Sequence, residues 1–148
     1  MSITLLRLRR LLTLDLRVLD EVRQDATATV PALVVAIACT AVLGLGGWLW
    51  WIESGLQSRG AVFLKSVVLG TGFASAAWVV WLIVAYVVLQ RLAGGAIDVG
   101  GLLRAAGFAC LPLILALGMA LRPVAFGIGI AALAGWVALT QIALQRTE

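Results

Sequence analysis

The sequence predicts an all-α membrane protein, a polytopic bundle of about four transmembrane helices preceded by an N-terminal amphipathic interfacial helix. Composition is the first observation. Hydrophobic residues make up 63% of the 148 residues and charged residues 12%, against roughly 45–50% and about 25% in soluble domains. The second is the length of the apolar runs, four of which can cross a hydrocarbon core of roughly 30 Å at about 1.5 Å per helical residue. The third is a rule of the solvent: backbone facing lipid must satisfy its own hydrogen bonds, so the runs are helices. The length suits one domain, divided into an interfacial segment at 1–26 and a bundle at 27–148.

Residues 2–25 read as one amphipathic helix. Leu5, Leu8, Leu12, Leu16 and Leu19 follow the three-four spacing of a single face. Arg10, Arg17, Asp20 and Glu21 fall opposite, and Arg17 and Glu21 are placed to pair at i,i+4. Such a helix lies in the membrane interface or packs on the ends of the spanning helices. The stretch from Asp25 to Pro31 then carries start signals, with Asp and Thr suited to capping and Pro to a first turn.

The first span is expected at 31–51, without a charge, and Trp48, Trp50 and Trp51 close it as an aromatic belt. A loop from Glu53 to Gly60 follows. The second span is expected at 67–89 inside a longer apolar run, with Lys65 snorkelling to the interface. Gly70-Thr71-Gly72 either bends this helix or lets a neighbour approach closely. Gly94-Gly95 and Gly100-Gly101 mark the next loop. The third span is expected at 102–121, with Pro112 kinking it near its middle. Arg122-Pro123 makes a very short connection to a fourth span at 123–144, and a polar tail ends the chain.

Orientation follows the Lys/Arg balance. With four spans, one side holds Arg7, Arg9, Arg10, Arg17, Arg23, Arg91, Arg104 and Arg146, and the other holds Arg59, Lys65 and Arg122. Eight against three places both termini in the cytoplasm of a cell, inner or plasma, membrane. The net charge of +4 and pI near 10 then express topology and attraction to anionic lipid headgroups, not nucleic-acid binding. Ile37-Ala38-Cys39 loosely resembles a lipoprotein cleavage site, but Ala36 and the long, mixed-charge segment before it argue against processing there.

Helices in lipid associate through small residues. Gly127, Ala131 and Gly135 form a helix-packing face on span four, and Ala32, Ala36, Thr40 and Gly44 form one on span one. Packing within the bundle is the plain use of such faces. A homo-oligomer or a membrane-protein partner is the sharper one.

Little in the chain points to chemistry. There is no His, and Cys39 and Cys110 sit inside apolar runs as small core residues. Glu53, Asp98 and Arg104 fall on different loops, and no phosphate or dinucleotide motif is present. The expectation is a non-enzyme with no catalytic residues, cofactor or metal. The hydroxyls of Thr40, Ser66, Thr71, Ser75 and Thr140 are expected to bond their own helices. Trp78 and Trp81 share a face of span two, read as core or lipid packing.

Leu103-Arg104-Ala105-Ala106-Gly107-Phe108-Ala109-Cys110-Leu111-Pro112 resembles the L-R-x-x-G-F-A-x-x-P signature of the Yip-one domain family, membrane proteins named for interaction with Ypt/Rab GTPases. Ala77-Trp78, Gly94-Gly95 and the stretch from Leu19 to Ala28 are also similar, so the likeness covers about residues 15–144. It implies a compact helical bundle of the small prokaryotic type. Eukaryotic relatives act in vesicle traffic and membrane shaping with small GTPases. The chain lacks their long polar N-terminal region, so the Rab-binding role is not carried over. The structural and lipid-anchor candidates of the signature are Arg104, Gly107, Phe108 and Pro112. Gly107 and Ala109 permit close helix contact, Pro112 bends the span, and Arg104 pairs with lipid phosphate or with a carboxylate such as Asp98. The expected function is a scaffold, membrane-organising or accessory protein. The alternatives are a small transporter or channel subunit working as an oligomer, and an auxiliary subunit of a larger membrane complex.

Overall fold

The computed structural model describes residues 3–53, 55, 59–93 and 98–145. Among the described residues the secondary structure is helical, with no strand, and four helical runs are long and apolar enough to cross a membrane. They are Ala26–Glu53, Gly60–Arg91, Val99–Ala120 and Ala125–Gln145, numbered one to four here. The chain is therefore an all-α, multi-pass membrane protein. The turn expected at Gly94-Gly95, most of the first loop and the tail carrying Arg146 lie outside the described residues.

The N-terminal segment is two helices, not one. Helix α1 (Ile3–Leu12) and helix α2 (Arg17–Gln24) are separated by a tight reversal. Leu14 N–H bonds the Leu11 carbonyl and Asp15 N–H bonds the Arg10 carbonyl, the paired bonds of a Schellman helix stop. That motif needs a left-handed residue, and Leu14 occupies it at φ 61°. Glycine usually marks this position, and its absence hides the break in the sequence. The salt bridge Arg10–Asp15 (2.7 Å) ties the two sides of the stop together. Glu21, expected to pair with Arg17, is held by Arg10 at 2.8 Å instead.

The break also dissolves the expected five-leucine face. Leu5 and Leu12 are exposed, Leu8 and Leu16 are half-buried, and Leu19 alone of the five is fully buried. The inward surface consists of Leu11, Val18, Leu19 and Val22, packed on Ala28, Ala32, Ala105, Phe108 and Ala143. The segment is a helical hairpin capping one end of the bundle. Asp25 then starts the chain back into span one, accepting bonds from the Thr27 backbone and hydroxyl.

Helix α3 (Thr29–Glu53) forms most of span one. Span two is one continuous helical run built of α4 (Arg59–Phe63), a π-helical segment (Leu64–Leu69) and α5 (Gly70–Ala93). The bulge sits where Gly44 of span one passes under it: a Cβ there would lie 2.7 Å from the Ser66 carbonyl oxygen. Wide turns of this kind recur where a helix accommodates a local intrusion.

Span three does not stay α-helical with a kink. Helix α6 (Val99–Phe108) stops, and the chain rewinds as a 3₁₀-helix over Leu111–Ala120 with Pro112 in its first turn. Pro112 has no N–H to continue the α ladder. The tighter winding rises about 2 Å per residue, so ten α and ten 3₁₀ residues together reach about 35 Å and still cross the bilayer.

Span three is also the central strut. In its most apolar stretch 61% of residues are buried, against 11% in span two and 17% in span four. Two glycines let it meet span one backbone to backbone. A Cβ on Gly107 would fall 2.6 Å from the Ala32 carbonyl oxygen, and one on Gly46 would fall 2.1 Å from that of Ala116. The fourth span, helix α7 (Ala125–Gln145), leans on the 3₁₀ half, with Gly135 against the Pro112 ring.

Candidate functional site

The richest polar cluster among the described residues lies where the hairpin meets the start of span three. Asp98 opens α6 as its N-cap, accepting the Gly100 and Gly101 N–H groups at 2.9 Å each. This places Arg104, a turn and a half further on, under the C-terminal end of α2. The Arg104 guanidinium is only 10% exposed and donates inward. Its Nε and Nη2 both bond the Arg23 carbonyl oxygen, at 3.0 and 2.6 Å. Nη2 also meets Asp98 Oδ2 at 3.1 Å and Nη1 meets Thr29 Oγ1 at 3.3 Å.

The Arg23 carbonyl is one of the acceptors that a helix leaves unpaired in its last turn. A cation there also faces the negative end of the α2 dipole. Arg104 is thus a C-cap supplied from another helix 81 residues away in sequence. The contact also fixes register, setting the start of span three at the same end of the bundle as the start of span one. Of the two partners expected for Arg104, the Asp98 carboxylate is engaged, and the guanidinium also donates to the backbone of the hairpin.

Beside this junction is an open cavity of about 410 Å³ lined by Asp20, Arg23, Gln24, Asp98 and Arg104. Two carboxylates balance two guanidinium groups, so the site has no net charge of its own. The hairpin is pinned again by the salt bridge Arg7–Asp25 (2.7 Å). The hydroxyl of Thr27, followed by the Arg7 guanidinium, holds the Asp25 carboxyl down at about 2. Asp15 is likewise lowered by its bond from Arg10. Arg10 is raised by Glu21 and then by Asp15. This arrangement can hold one element on another through charge. Among the described residues no three His, Cys, Asp or Glu side chains come together as metal ligands.

The other residues singled out from the sequence divide into two groups. Gly107 and Phe108 belong to the same junction: Gly107 seats span three on Ala32, and Phe108, with no exposed surface, is the largest side chain buried beneath the hairpin. Pro112 sits lower, filling the notch at Gly135. The packing face on span four does not serve the bundle as a unit. Gly135 touches Pro112, but Ala131 is exposed and nothing stands within 4 Å of a Cβ on Gly127. On span one the face is used, with Ala32, Ala36 and Thr40 all buried.

Sequence reasoning placed Arg104 and Asp98 near each other but missed Arg23, whose backbone rather than side chain is the functional part. Arg7 was counted as a lipid-facing charge, yet it is committed to Asp25. A signal was present in the alternation of carboxylates with arginines along the hairpin, which reads equally as a solvated face.

Comparisons of the chain with protein-family models, with curated proteins and with solved structures find no match.

Proposed function

We propose that the chain is a non-enzymatic membrane-organising or accessory protein of the Yip-one type, acting by lateral association in the bilayer. The observation that carries this reading is the outward small-residue edge of span four. Gly127 and Ala131 face away from the bundle, beside exposed Phe126 and Ile130. Small residues let helix backbones approach closely and are the usual contact surface between helices in lipid. The polar junction supports the same reading, because its charges hold the hairpin to the bundle. On this proposal both termini are cytoplasmic in a prokaryotic cell membrane, and exposed Arg9 and Arg17 meet anionic headgroups. The partner across span four is a second copy or another membrane protein.

The test uses a photo-crosslinking amino acid in native membranes, at Ala131 and at buried Ala109. A discrete protein adduct at Ala131 and none at Ala109 supports the proposal. Lipid adducts alone at Ala131 overturn it. Saturable solute flux through liposomes carrying the pure chain would replace it with a transport function.

A further inference from the structure

The open cavity of about 410 Å³ beside the junction is walled by charge from two elements. Asp20 and Arg23 stand three residues apart on one face of α2, and Asp98 and Arg104 come from the start of span three. Asp98 directly precedes the apolar run of span three, and Arg23 stands three residues before that of span one. The cavity therefore lies where apolar runs give way to charge, which in a bilayer is the level of the headgroups.

The pairing of these charges leaves capacity for a ligand. An ionised carboxylate offers about four acceptor sites and a guanidinium about five donors. Asp98 uses three of its sites, on the Gly100 and Gly101 N–H groups and on Arg104, and its side chain is 62% exposed. Asp20 and Arg23 are half-buried at the cavity wall. A ligand of one sign would unbalance two carboxylates set against two guanidinium groups, whereas a ligand carrying both signs would not. Beside the cavity, an apolar groove of about 120 Å³ runs between spans two and three, with Leu82 and Tyr86 on one wall and Val99, Leu102 and Leu103 on the other. Val99 follows Asp98 and Leu103 precedes Arg104, so cavity and groove lie on neighbouring faces of one helix at one depth. The groove opens towards lipid at Val99 and Ile83, both exposed.

We propose that the cavity and groove together bind one phospholipid with a zwitterionic phosphoethanolamine headgroup. The phosphate accepts from the Arg23 guanidinium, the primary ammonium donates to the carboxylates of Asp20 and Asp98, and one acyl chain lies along the groove. A choline headgroup carries the same two charges, but its methylated nitrogen has no N–H to donate and forgoes the charge-assisted bonds. A glycerol headgroup supplies no cation and leaves the carboxylates beside an added anion. The Arg104 bonds to the Arg23 carbonyl are untouched, so the hairpin stays docked while the lipid sits at its edge. This site is separate from the outward edge of span four and does not depend on lateral association.

The test gives the full chain, delipidated in a neutral detergent, an equimolar mixture of phosphatidylethanolamine, phosphatidylcholine and phosphatidylglycerol with identical acyl chains. Lipid retained on the chain is read by native mass spectrometry. One phosphatidylethanolamine per chain is expected, preferred about tenfold over each of the others, the worth of one hydrogen bond between charged groups at its lower end. Asp20→Asn should bring phosphatidylethanolamine down towards phosphatidylcholine. Arg23→Gln, which keeps the capped carbonyl and removes the phosphate donor, should lower retention of both alike. Glycerophosphoethanolamine, the same headgroup without chains, should displace the lipid poorly at equal concentration. The proposal is overturned if phosphatidylcholine or phosphatidylglycerol is retained as well as phosphatidylethanolamine, or if either variant retains lipid like the wild type at unchanged melting temperature. It is equally overturned if glycerophosphoethanolamine competes as well as the lipid, which would mark a site for a soluble zwitterion.

Discussion

Replacing Arg104 with Ala removes the cap that span three supplies to α2. Two charge-assisted bonds to the Arg23 carbonyl disappear, and bonds to charged groups contribute about 1.5–3 kcal/mol. The Asp98 pair adds little, roughly 1 kcal/mol at most for an exposed partner, since the Asp98 side chain is 62% exposed and keeps its Gly100 and Gly101 bonds. The expected loss is about 2–4 kcal/mol, and it falls on docking of the hairpin rather than on the bundle. Amide hydrogen exchange in detergent reads this locally: opening of α2 should become about 30- to 1,000-fold more frequent, while the amides of α3 keep their protection. Arg104→Lys should recover only part of the difference, because an ammonium cannot present the planar fork that grips one oxygen twice. Asp98→Asn should do much less than Arg104→Ala. Unchanged α2 exchange in Arg104→Ala, or an equal loss of protection in every span, would refute the capping role.

Gly107→Val and Gly46→Val should each lower the melting temperature strongly, because the added atoms meet carbonyl oxygens of the facing helix rather than movable side-chain ends. Gly127→Val, with open space around it, should leave the isolated chain unchanged in the same thermal melt. Leu14→Gly should stabilise the hairpin by about 1 kcal/mol, the relief of a left-handed leucine, seen as slower exchange in α1 and α2. Acid should release the hairpin: the Asp25 carboxyl titrates at about 2 when folded against 3.8 when free, so its contribution is complete above about pH 4 and lost as pH falls towards 2. Pepsin cleavage of α1 and loss of its amide protection, taken relative to the unfolded chain at each pH, should rise through that window, and Arg7→Gln should flatten the rise. Reporter fusions at Gly95 should give a cytoplasmic signal, and a signal from the other side would break the four-span topology.

The spans were legible because lipid imposes length and composition on each one separately, and a run such as 31–51 needs no knowledge of its neighbours. What escaped depends on two segments at once. The break at Leu14 is such a case: a leucine held left-handed by the Arg10–Asp15 bridge and by packing of Leu11 and Val18, with no glycine to announce it. The rewinding after Phe108 is another. Pro112 announced a disturbance in span three, but its form was set by Gly135 receiving the ring. The hydroxyls were misjudged for the same reason. Thr40 bonds its own helix as expected, whereas the hydroxyl oxygens of Thr71 and Thr140 are buried without a partner among the described residues. Arg104 was recognisable as an anchor, since a lone arginine beside small residues at a span entrance has few other uses. Its main partner is a backbone carbonyl, which no side-chain pattern reveals.

The junction and an apolar cavity of about 320 Å³ between the spans, lined in part by Thr40, Trp78, Cys110, Leu113 and Trp136, are linked through span three. Its α-helical half is clamped by Arg104, Gly107 and Phe108 against the hairpin and span one. Its 3₁₀ half is clamped by Ala116 on Gly46 and by Pro112 on Gly135. Between the clamps the chain changes its winding, and the residues flanking that change, Cys110 and Leu113, line the cavity. A continuous α-helix turns about 100° per residue and a 3₁₀-helix about 120°, so the switch rotates the two halves relative to each other. Span four follows the lower half through Gly135, while span two packs beside the upper half through Trp78 and Leu82 on Leu102 and Ala106. The two outer spans are thus referred to different halves of one strut, and the space between Trp78 and Trp136 is where those references diverge. The cavity is a consequence of how span three is wound, and the hairpin helps hold the winding by fixing its upper end.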